Sequence, residues 1–132
     1  MPQLTFGIYD HGIHADAEFG QLRISGRDES GFRPYFLITS GVVGCATGVL
    51  RREFSARGVE YEDIKVVADV TRNAAKSNRI EQIDIEFFLT LKGEVPKQSI
   101  DDAMQAMLDT SSMIQTVRDS IKIVARLALV TP

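Results

Sequence analysis

The order of apolar and polar residues divides the chain into segments of two different periods. LTFGIYD (4 to 10) and EFGQLRIS (18 to 25) alternate like short strands joined by HGIHADA, which predicts a hairpin or two edge strands. GRDESGF (26 to 32) reads as a polar loop. Pro34 suits the first position of a helix, where its missing N–H would have no partner anyway, and Gly58 suits a stop, so one helix is predicted over residues 34 to 57. From Tyr35 to Leu50 this helix carries no charge, a run of 16 residues. That is shorter than the ~18–20 residues of a membrane span, which predicts a buried core helix instead.

Within that helix Gly41, Gly44 and Gly48 should each cost about 0.8–1 kcal/mol relative to alanine, so something must compensate. Together with Ser40 and Cys45 they recur at spacings of three and four, a stripe of small positions along which another helix can pack closely. A helix that is apolar around its circumference needs more cover than a chain of this size supplies, so a second copy of the chain, a homodimer, is expected.

Downstream of Gly58, EDIKVVADVT (62 to 71) and RIEQIDIEFFLTLKG (79 to 93) read as strands joined by a hairpin loop over 73 to 78. The second strand places Ile83, Ile85, Phe87, Leu89 and Leu91 on one face, with Asp84, Glu86, Thr90 and Lys92 on the other. Pro96 opens a second helix that puts Ile100, Ala103, Met104, Met107 and Ser111 at helical spacing on one face. In this pattern the methionines pack as core. SIKIVARLALV (120 to 130) is a last strand with Lys122 and Arg126 facing outward. The order of strands, helix, two strands, helix and strand predicts an α+β fold, with an antiparallel-rich sheet around a long central helix.

Composition narrows the function classes. With 132 residues, 44% hydrophobic and 25% charged, the chain is expected to be one domain over 1 to 132: N-terminal strands in 1–33, the central helix in 34–57, the remaining elements in 58–132. A net charge of -3 supplies no footprint for nucleic acid, and no basic amphipathic segment points to a membrane surface. Residues 1 to 12 lack the basic start and apolar core of a signal peptide, so a cytoplasmic location is expected. Cys45 is the chain's single cysteine and cannot form an internal disulfide; it is either inert core filler or a reactive thiol. DHGIHAD holds Asp10, His11, His14 and Asp16, but it contains glycine and lacks a second ligand cluster, so a solvated turn is expected there, with no metal and no cofactor.

RPYFLITSGVVGC sets Pro34, Leu37, Gly41 and Cys45 in a register that resembles the thiol-peroxidase helix of the OsmC/Ohr family, the osmotically inducible and organic hydroperoxide resistance proteins. The resemblance continues through RREFSARGVEYEDIKV, RIEQIDIEFFLTLKGEV and DTSSMIQTVRDSIKI, and it covers roughly residues 18 to 130. It implies an intertwined homodimer with active sites at the subunit boundary, in which a pair of cysteines reduces organic hydroperoxides. Cys45 takes the attacking position. The second cysteine's place falls to Ser111, which cannot condense with a sulfenic acid. Where many members carry glutamate after the proline, helping to hold an active-site arginine, this chain has Tyr35. That arginine comes from the segment before the helix, here Arg23, Arg27 or Arg33, and Arg23 in a strand is better fixed than Arg27 in a loop. Since Cys45 lies about three turns inside the helix, beyond the reach of the dipole, a lowered thiol pKa is expected to need such a cation.

Two functions remain open from the sequence, beside a purely structural reading. In one, Cys45 reduces alkyl hydroperoxides and an external thiol regenerates it. In the other, the fold is kept and its apolar pocket, around Tyr35, Gly41 and Gly44, binds a small hydrophobic ligand at the dimer interface.

Overall fold

Three short strands, not two, fill the first part of the computed structural model, which describes residues 3–131. They are β1 (Gly7–Tyr9), β2 (Gly12–Asp16) and β3 (Gln21–Ile24), an antiparallel meander in that order. The predicted connection HGIHADA is therefore mostly β2. Its glycine, histidine and aspartate have low strand propensity, but pairing on both edges overrides it, with His14 opposite Gly7 on one side and Arg23 on the other. Gly12 is fixed by crowding: a Cβ there would lie 2.1 Å from the Ile24 carbonyl oxygen. Phe32 returns beside β3, donating its N–H to the Arg23 carbonyl at 2.8 Å.

The long helix α1 (Pro34–Ala56) follows. Two compact units divide within it, one reaching to Ser40 and the other starting at Gly41. It ends as the sequence predicts: Gly58 adopts φ 70°, in the left-handed region, and the Val59 N–H reaches back to the Phe54 carbonyl at 2.8 Å.

In the second unit β4 (Tyr61–Asn73) and β5 (Arg79–Leu91) pair antiparallel across a tight turn at 74–76, where the Asn73 side chain accepts the Ala75 N–H. The last strand, β6 (Lys122–Leu129), lies parallel to β5, giving the order β4-β5-β6. Parallel neighbours need a long crossover, here α2 (Lys97–Thr110) and α3 (Ser112–Val117). Three of the four strand pairings are antiparallel, and the strands divide between two three-stranded sheets.

The alternation read from the sequence sorts the residues of β5 as expected. Ile83, Ile85, Phe87 and Leu89 are buried, and Ile100, Ala103 and Met107 of α2 join them. From α1 the same core takes Val42, Ala46, Val49, Leu50 and Phe54, one face of the helix. On the opposite face a Cβ on Gly41, Gly44 or Gly48 would meet no heavy atom of the described residues within 4 Å. No helix among the described residues is long and apolar enough to cross a membrane.

Candidate functional site

Cys45 sits at the margin of the buried face of α1, partly exposed, with Ala46 packed in the core beside it. What meets its sulfur comes from the α2–α3 junction. Ser111 leaves the helical conformation at φ -65°, ψ 117°, ending α2 and capping α3, and its hydroxyl accepts the Ile114 N–H at 3.5 Å. The cap is fully buried and donates its proton to the Cys45 Sγ at 3.3 Å. The Ser112 hydroxyl lies 3.5 Å from the same sulfur. Hydrogen bonds of this kind favour the charged form of an acid. The Ser111 hydroxyl first, then the Ser112 hydroxyl and the Met113 backbone N–H, bring the Cys45 thiol down from an ordinary 9.0 to about 7, against an opposing push from desolvation.

The expectation that only a cation could lower this thiol is therefore corrected. Hydroxyl and amide donors at the start of α3 do it, from outside the helix that carries the cysteine. Ser112 and the Met113 amide escaped the sequence reading because the helical spacing of Ile100, Ala103, Met107 and Ser111 runs on past the break. The signal was the doublet Ser111-Ser112, since serine competes with helical hydrogen bonding and favours caps.

The other residues singled out by sequence belong to the first unit. Arg23 in β3 lies over the Tyr9 ring at 5.3 Å and donates from Nε to Gln21 at 3.1 Å. Tyr35, in the first turn of α1, lies beneath the Arg33 guanidinium at 5.9 Å, and its carbonyl accepts the Thr39 hydroxyl. Gly41 and Gly44 belong to the second unit, on the open side of α1 next to Cys45. His11 and His14 serve separate ends of the meander: the His11 carbonyl accepts the Ser25 hydroxyl, while the His14 ring packs over Gly7 and lies 6.2 Å from that of Tyr9. Among the described residues no three histidine, cysteine, aspartate or glutamate side chains gather as a metal site.

A family model described as OsmC-like protein matches residues 26–126. No curated protein matches the sequence. Among solved structures, a hypothetical protein from Aquifex aeolicus VF5 superposes with a TM-score of 0.85 at 14% identity, over 100% of this chain and 98% of that one. An OsmC-like protein from Mycoplasma pneumoniae gives 0.82 at 14% identity, over 97% and 96%. The organic hydroperoxide resistance protein OhrB of Bacillus subtilis gives 0.63 at 12% identity, over 96% of each chain. At these identities the superpositions establish the fold.

Proposed function

Because the chain belongs to the OsmC-like family, we propose that it reduces organic hydroperoxides through Cys45 alone, with an external thiol restoring the sulfur. The observation that carries this reading is the set of donors on Cys45, which leaves about half of the thiol ionised near neutral pH. The thiolate attacks the terminal peroxide oxygen, the O–O bond breaks, and the alcohol leaves after taking up a proton. Cys45 is left as a sulfenic acid. Ser111 stands 3.3 Å away but brings oxygen, so no internal disulfide can form. One external thiol then displaces water to give a mixed disulfide, and a second releases Cys45 and carries off both oxidising equivalents as its own disulfide.

Within this reading Gly41 and Gly44, on the open side of α1 next to Cys45, border the place of the peroxide. A homodimer accounts for apolar side chains that a single chain leaves bare, Ile8 at 87%, Phe36 at 48% and Ile38 at 47% exposure. The lone thiol fits a reducing compartment, the cytoplasm. A groove of about 310 Å³ between α2 and β6, with Ile100, Met104, Leu108 and Leu127 in its lining beside Lys97, Asp101, Gln105 and Arg126, favours a second reading, binding of a small amphipathic ligand without turnover.

Purified protein given cumene hydroperoxide and excess dithiothreitol is expected to consume the peroxide, and Cys45→Ser to lose all of that consumption. If the wild type consumes none and its thiol alkylates slowly at pH 7, the peroxidase reading fails and the binding reading stands.

A further inference from the structure

Two serines meet the Cys45 sulfur, and they differ in freedom. The Ser111 hydroxyl is fully buried and committed twice over, donating to the sulfur at 3.3 Å and accepting the Ile114 N–H at 3.5 Å. Ser112 stands at the first position of α3 with its side chain exposed, its hydroxyl 3.5 Å from the same sulfur. Among the described residues that sulfur is the one hydrogen-bond partner of the Ser112 hydroxyl, while the Ser112 backbone carbonyl accepts the Thr116 hydroxyl at 2.7 Å. A hydroxyl turns about its C–O bond to suit whichever acceptor is present. Ser112 is therefore free to change partner during a reaction, whereas Ser111, walled in, keeps its own.

Negative charge has to move in the peroxide reaction. It begins on the sulfur and ends on the oxygen that leaves, and an alkoxide is a far stronger base than a thiolate, so a donor aimed at the leaving oxygen lowers the barrier. Cys45 is only partly exposed and Ser111 fills its buried side, so a peroxide reaches the sulfur from the side on which Ser112 stands. Given the peroxidase reading, we infer that Ser112 is a catalytic residue for alkyl hydroperoxides: its hydroxyl donates to the Cys45 thiolate at rest and hands a proton to the departing alkoxide as the O–O bond breaks. The sulfur gains a bond to the terminal oxygen and loses two electrons, and the peroxide takes them up and leaves as the alcohol. Ser112 recovers its proton from the water it faces, the same solvent that received the thiol's proton when Cys45 ionised, so protons balance over the step.

Two oxidants separate this role from a general effect on the sulfur. Cumene hydroperoxide releases an alkoxide, whereas peracetic acid is attacked at the same kind of oxygen but releases a carboxylate, a weak base that needs no proton. Reduced protein, freed of reductant, is mixed with each, and the surviving Cys45 thiol is counted by maleimide labelling and mass spectrometry. Both rates contain the same thiolate fraction, so their quotient is unmoved by any change in the ionisation of Cys45. Ser112→Ala is expected to slow the hydroperoxide reaction about tenfold more than the peracid reaction, less than the roughly hundredfold of a buried general acid because water can stand in at an exposed position. Ser112→Thr keeps the hydroxyl and is expected to return the quotient to within about threefold of wild type. Equal losses with the two oxidants, an undiminished hydroperoxide rate in Ser112→Ala, or a threonine variant no better than the alanine overturn the assignment and leave the peroxidase reading standing. A wild-type thiol that survives the hydroperoxide overturns that reading, and the role of Ser112 with it.

Discussion

At the scale of single residues, the chemistry of Cys45 depends on what the next helix presents to it. A hydroxyl that donates to a thiolate stabilises that charge, and its removal returns the thiol toward its ordinary 9.0. Ser111→Ala is therefore expected to slow iodoacetamide alkylation at pH 7 by about three- to tenfold, since each unit of pKa changes the thiolate fraction about tenfold below the midpoint. The direction follows from the ionisation: the wild-type rate should climb through pH 7 and level off above it, whereas the variant should still be climbing at pH 8. Coincident pH profiles for the two proteins would show that Ser111 does not tune the sulfur. Cys45 itself was legible from the sequence as the candidate nucleophile, and Ser111 as its neighbour. The donors at 112 and 113 were not, because they depend on where a helix breaks, and periodicity alone marks no break when both sides keep the same face.

Elements were read more completely than their junctions. The limits of α1 followed from Pro34 and Gly58, and the buried face of β5 from strict alternation, because both signals are local and unopposed. Strand β2 was missed because its stability comes from neighbours on both edges rather than from its own residues. The parallel setting of β6 on β5 was likewise invisible, since a strand's periodicity carries no direction. The end of α1 also yields a quantitative test. Gly58 holds φ 70°, so Gly58→Ala should cost about 1 kcal/mol, while Phe54→Ala, four residues earlier and fully buried, should cost about 3–5 kcal/mol. Denaturant midpoints at unchanged slope would give both values, and an alanine at 58 without cost would mean that the helix does not need its left-handed terminus.

For the whole molecule, the open face of α1 separates folding from association. Since a Cβ at Gly44 meets nothing of the described residues within 4 Å, Gly44→Leu should raise the stability of the single chain by roughly 0.5–1 kcal/mol, the helix propensity that glycine lacks. In the homodimer proposed above, with a second helix along that face, the same leucine should shift the protein to the monomer in size-exclusion chromatography at micromolar concentration. A dimer that elutes unchanged would place the contact elsewhere. The oxygen facing Cys45 has a further consequence for the molecule as a redox object. Oxidation here adds an oxygen to the sulfur without stapling α1 to α3, so no cross-link holds the oxidised chain in a changed shape. Whatever tempo its turnover has is then set from outside, by how quickly the surrounding pool of small reductants clears the sulfur.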